Sequence, residues 1–378
     1  MTSFKKSLII AFKSLSVLIL ILLIFSLTPW GKVFAKSVLL IPQIWTGFPV
    51  KPLNFVTKQP YINEELIAID GDGRPIRADI YRPSDSNKHP TAIFVMMGIN
   101  PSDKLVVDYA KSFARVGFAI VVPRIDGFLE GRLNVQQVNE LVLLFENIRN
   151  KEFTNKDKIG FIGICAGGSY SLLAAQNPDI SENVAYILTV SPYYDLNTSA
   201  LQILSQKKNN GELKEEWIPS KQVEEGLDEI FLSSLNDTGE REKIRQLLKE
   251  IGKNDQEIEP LSPDGQKIYS FLTNRDSGEF ETLWQALPNK TKETAIELSP
   301  KTNIKKLNAK VFILNDARDT FIPSSESINL KDNLSDVEYI KLDLLEHSQL
   351  TRRLPRLKSI QEVTKLFVFV YKVLLEIG

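Results

Sequence analysis

Cysteine occurs once in these 378 residues and histidine only twice, a scarcity that removes whole classes of chemistry before any motif is sought. A single cysteine forms no intrachain disulfide and builds no multi-cysteine zinc site. His89 and His347 leave little material for any other metal centre, so no metal ligand set is expected. An excess of charge of either sign is missing too: 46 basic against 47 acidic residues give a formal net charge of -1. Phosphate-backbone binding needs a basic excess on one face, so no nucleic-acid partner is expected. Thiol and imidazole chemistry is confined to three residues.

What is present is the material of an ordinary folded domain. Hydrophobic residues make up 43% and charged residues 25% of the chain, enough for a sizeable core. The length suits one large α/β domain with an appendage, or two modest domains.

The N-terminus carries Lys5, Lys6 and Lys13, followed by the apolar run Ser14 to Trp30. At about 1.5 Å per residue this run reaches roughly 25 Å, and including Leu8 to Phe12 with Lys13 snorkelling lets it cross a hydrocarbon core of about 30 Å. Residues 1–35 are therefore expected to be a single-pass membrane anchor with the folded domain outside the cytoplasm. A secretory signal cleaved after Val33-Phe34-Ala35 is the alternative. Residues 36–63, interrupted by Pro42, Gly47 and Pro49, are expected to form a linker or interfacial packing segment.

Beyond Glu64 the sequence alternates strand-like and helix-like stretches, which predicts a mostly parallel sheet covered by helices. LIAID and PIRADIYRP, joined at Gly71-Asp72-Gly73, read as a hairpin. Thr91–Gly98, GFAIVVP, Lys158–Ile164 and Val184–Pro192 read as buried strands. Lys104–Arg115 and Val135–Ile148 have helical spacing between them. From 196 to 299 the pattern is helical and heavily charged with no convincing strand, too long for a connection, and it predicts an inserted helical cap. Its apolar residues, Trp217, Phe231, Phe271 and Trp284 among them, are expected to pack it onto the core. The sheet resumes at Lys310, so the α/β core spans 64–195 and 300–378.

Gly163-Ile164-Cys165-Ala166-Gly167-Gly168 lies between a predicted strand and a predicted helix. A nucleophile raised on so sharp a turn needs small residues two before and two after it, which Gly163 and Gly167 supply, while Gly168 lets the helix approach the sheet. The thiol would then sit at a helix N-terminus, where partial positive charge favours thiolate. His347, after the last predicted strand, is the expected base, and Asp319 the expected orienting acid, with Asp316 and Asp195 as alternatives. His89, beside Pro90, reads as an exposed loop residue. The main-chain N–H groups of Ala166 and Ile99 are expected to form the oxyanion hole.

These residues in this order resemble the α/β-hydrolase superfamily over about Glu64 to Gly378, including RADIYRP, GFAIVVP and DTFIP. The Gly-x-Cys-x-Gly-Gly elbow resembles the dienelactone hydrolases in particular. GICAGGSYSLL is also similar to the box of polyhydroxyalkanoate synthases, which hold a growing chain on cysteine. The resemblance implies an ester, lactone or thioester hydrolase acting through Cys165, His347 and Asp319 on a small acyl substrate without a cofactor. An acyltransferase and a catalytically inactive binding protein of the same fold are the alternatives.

Overall fold

The computed structural model describes residues 25, 27–45, 48–57, 61–131, 133–209, 214–250, 261–347 and 349–378. Most of the expected membrane span, residues 1–24 and 26, lies outside them. Among the described residues no helix is long and apolar enough to cross a membrane.

Eight strands form one sheet: β1 (Tyr61–Ile69), β2 (Pro75–Pro83), β3 (His89–Val95), β4 (Ala119–Arg124), β5 (Thr154–Ile164), β6 (Tyr186–Val190), β9 (Lys310–Asp316) and β10 (Val337–Leu342). Their spatial order is β1-β2-β4-β3-β5-β6-β9-β10. The β1–β2 and β2–β4 pairings are antiparallel and all the others parallel. A mostly parallel sheet with this one antiparallel edge, flanked by helices, fits the α/β-hydrolase fold.

Strand alternation assigns the core to two faces. Ile93, Val95, Val121, Ile159 and Phe161 point to one side, against α5 (Val135–Arg149) and α6 (Ala166–Ala175). Ala92, Phe94, Ile120, Ile162 and Ile164 point to the other, against α3 (Lys104–Arg115) and α14 (Arg356–Ile377). The helix α1 (Pro29–Ile44) also packs on this second face through Leu40 and Ile41, and Phe34 meets Phe367 of α14 edge-on at 5.2 Å. Thr28 caps α1 by accepting the Gly31 N–H. This helix runs across residue 35, the expected end of the anchor segment, and continues to Ile44.

Between β6 and β9 come α7 (Leu196–Ser205), α8 (Lys221–Leu232), α9 (Thr238–Glu250), α10 (Pro263–Thr273), α11 (Phe280–Ala286) and α12 (Asn289–Glu297). The insertion has an aromatic centre of its own, with Phe231 and Phe271 rings 4.9 Å apart and Trp284 against both. Ser262 caps α10 by accepting the Gly265 N–H, with Pro263 at the first helical position. One feature was not expected: Lys207–Asn209 (β7) pairs with Lys214–Glu216 (β8) as a short antiparallel hairpin. Three residues per strand are too few to show alternation.

His89 also departs from the sequence reading. It opens β3 and is only 7% exposed, with Nε2 2.8 Å from Asp85 Oδ1 and Nδ1 3.2 Å from the Gly117 carbonyl. Both ring nitrogens are occupied in holding a strand end, far from a solvated loop's role.

Candidate active site

Cys165 stands between β5 and α6 with φ 56° and ψ -131°, in the left-handed half of backbone space that a side chain normally avoids. The turn is held by the Cys165 N–H donating to the Val190 carbonyl at 2.8 Å and by the Gly168 N–H donating to the Cys165 carbonyl at 2.9 Å. The three glycines are sterically required. A Cβ on Gly163 would stand 2.5 Å from Gly168 Cα, one on Gly167 2.3 Å from the Val95 oxygen, and one on Gly168 1.9 Å from Thr189 Oγ1. Strand and helix therefore touch backbone to backbone, which lifts the thiol to the end of the sheet.

His347 also has positive φ, 54°. Its ring packs flat against Phe321, with centroids 3.7 Å apart and planes 21° from parallel. Nδ1 lies 3.2 Å and 3.3 Å from the two carboxylate oxygens of Asp319, and the ring also contacts the Cys165 side chain. Asp319 is 3% exposed and accepts further from the Phe321 N–H at 2.7 Å and the Ile322 N–H at 3.3 Å. Burial alone would depress the His347 imidazole. Interaction with the neighbouring Cys165 side chain and hydrogen bonding to Asp319 outweigh it, pushing it up to about 10.

The two other acids considered from sequence have different work. Asp316 is fully buried, accepts from Arg352 Nη1 at 2.8 Å, and accepts the main-chain N–H of His347 at 2.9 Å. It thus fixes, through the main chain, the loop that carries the imidazole. Asp195 caps α7 through the Asn197 N–H and pairs with Lys301 at 2.8 Å.

Cys165, Ala166, Ile99 and His347 line one cavity of about 920 Å³. The Gly98 N–H donates to the Phe128 carbonyl at 2.9 Å. Among the described residues the N–H groups of Ile99 and Ala166 have no main-chain acceptor, and Ala166 opens α6, where helix donors point outward. The far wall comes from the insertion: Leu196 and Ile203 of α7, Leu227, Asp228 and Ile230 of α8, and Leu272 of α10. Burial, together with the nearby charge of Glu224, pushes the Asp228 carboxyl up to about 7, against the opposing pull of Arg275.

Sequence reasoning missed Phe321 as the ring support, Arg352 as the partner of Asp316, and the contacts of the insertion with the acid loop. In the last, Trp217 Nε1 donates to the Asp319 carbonyl at 2.9 Å and the Ser220 N–H donates to the Thr320 carbonyl at 2.8 Å. Each joins residues at least 36 apart along the chain or reads only as a generic apolar position, so no local pattern announces it.

No family model matches the sequence and no curated protein is similar to it. Among solved structures, the chain is similar to DcsB, determined with its substrate analogue, at 18% identity and a TM-score of 0.48, covering 82% of this chain and 100% of that one. It is similar to a 2,6-dihydroxy-pseudo-oxynicotine hydrolase at 14% identity and a TM-score of 0.49, covering 91% and 80%. A puromycin-hydrolyzing peptidase of Mycobacterium tuberculosis gives 15% identity and a TM-score of 0.47, covering 85% of this chain but only 40% of the peptidase. The architecture itself is read from the strand order and the elbow.

Proposed function

We propose that this chain is an acyl hydrolase whose nucleophile is the thiolate of Cys165, in the manner of a dienelactone hydrolase-like enzyme, tethered to a membrane by its N-terminal apolar run. The observation that carries the reading is that the sole thiol and the His347 ring line one cavity, with the buried Asp319 carboxylate behind the ring at Nδ1.

In the proposed cycle the sulfur attacks the carbonyl carbon of an ester, lactone or thioester, forming a C–S bond and an oxyanion held by the N–H groups of Ile99 and Ala166. Collapse of this intermediate breaks the bond to the leaving oxygen or sulfur, which takes a proton from the His347 imidazolium. The neutral imidazole then removes a proton from water as its oxygen attacks the acyl-cysteine. Breaking the C–S bond releases the acid and restores the ion pair. Asp319 holds Nδ1, so the other ring nitrogen faces the chemistry throughout. A cysteine suits activated acyl groups better than amides, because thiolate is itself a good leaving group.

The test is intact-mass detection of an acyl adduct with a p-nitrophenyl ester or an aryl thioester. Wild type is expected to gain one acyl group on Cys165 and to turn over, and Cys165→Ala to lose at least about 1,000-fold in turnover. An alanine variant with full turnover would falsify the thiol mechanism.

A further inference from the structure

The insertion reaches the reacting end of the cavity as well as its far wall. Its stem is pinned to the acid loop by Trp217 and Ser220, so the first turn of α8 begins from a fixed point beside Asp319 and Thr320. Gln222, two residues beyond Ser220, lines the cavity together with Cys165 and Ile99. Its side-chain Nε2 lies over Gly98 so closely that a Cβ built there would stand 2.6 Å from it. Gly98 directly precedes Ile99, whose N–H faces no main-chain acceptor, while Gly98's own N–H is committed to the Phe128 carbonyl.

A glutamine side chain offers two N–H donors, and a well-placed amide normally spends them on protein or water. Among the described residues the Gln222 amide makes no hydrogen bond, and more than a third of the residue is exposed. An unspent donor pair therefore hangs above the loop that supplies one of the two main-chain donors.

We propose that Gln222 is a third oxyanion donor, carried by the insertion, which hydrogen-bonds the carbonyl oxygen of the acyl group as negative charge develops on it. The inference rests on the thiol-hydrolase reading. It makes the insertion a part of the catalytic centre in addition to a cover. Glycine at position 98 is called for by its φ of 68° and also leaves room for the amide to lie over the loop. A donor of this kind acts on the transition state more than on the bound substrate, so it should lower kcat with little change in KM.

The experiment measures single-turnover acylation of Cys165 by a p-nitrophenyl ester in Gln222→Leu and Gln222→Glu, alongside wild type. Leucine keeps the bulk and removes the donors; the expected loss is about 10- to 100-fold in acylation rate, below or within the usual range for one oxyanion donor because two others remain. Glutamate sets a negative charge against the developing oxyanion, and its deficit relative to wild type is expected to exceed that of leucine at pH 8 and to shrink toward pH 4.5 as the carboxylate takes up a proton. A purely structural role would give equal deficits in both variants at every pH. Rates within twofold of wild type in both, or pH-independent equal losses, overturn the inference alone. A wild-type chain that takes no acyl group onto Cys165 overturns the thiol reading and this inference with it.

Discussion

Asp228 faces the cavity from α8, where burial and the neighbouring Glu224 make ionisation costly and push its carboxyl up to about 7. An acid whose folded pKa exceeds its unfolded value binds more protons folded than unfolded between the two, so stability falls as pH rises across that interval. Here the interval runs from the ordinary carboxylate value near 4 up to about 7. Asp228→Asn removes the ionisation, and its urea midpoint is expected to rise above wild type at pH 8 but to match it at pH 4. A shift of equal size at both values would rule out proton uptake as the cause. The residue scale is also where the sequence left most open. Asp316 ends β9 and Asp319 follows three positions on, and nothing local says which one faces the imidazole. The fold decides it through Arg352, which arrives from beyond His347 to claim Asp316 and leaves Asp319 to the ring. His89 was misread for the same reason, since its two partners come from a turn before it and from Gly117 far along the chain.

The elbow between β5 and α6 belongs to the scale of elements, because its glycines mark the distance at which a strand and a helix can pack. Gly168→Ala would drive a methyl group against Thr189 Oγ1 and separate α6 from β6. The expected cost is about 1–3 kcal/mol, the usual range for overpacking, read as a lowered midpoint in urea with an unchanged slope. The alkylation rate of Cys165 should change as well, because the thiol rides on the same turn. A variant with wild-type stability would mean that α6 is free to move away. This part of the molecule was legible in sequence because Gly-x-Cys-x-Gly-Gly between an apolar run and a helix is a steric statement in itself. The same holds for α3, whose predicted range 104–115 matches the structure, and for the cap of α10, where Ser262-Pro263 is a start signal independent of tertiary context. The β7–β8 hairpin was not legible, because each strand is three residues long and its pairing is fixed by what surrounds it.

At the scale of the whole molecule, α1 ties the N-terminal segment to the domain. Leu40 and Ile41 are buried against the second face of the sheet, and burying each such side chain contributes about 1.5–3 kcal/mol. A chain begun at Thr28 keeps this helix and its cap and is expected to fold with wild-type stability; if the proposed tether holds, the full chain floats with membranes in flotation assays and this one does not. A chain begun at residue 46 uncovers α14 and is expected to unfold at several kcal/mol less, or to aggregate. Equal stability of the two truncations would show that α1 contributes nothing to the fold. The stem of the insertion carries a consequence at the same scale. Raising the insertion far enough to break the Trp217 and Ser220 hydrogen bonds would release the very loop that aims the imidazole. On the proposed mechanism, substrate entry and imidazole support therefore draw on the same two hydrogen bonds.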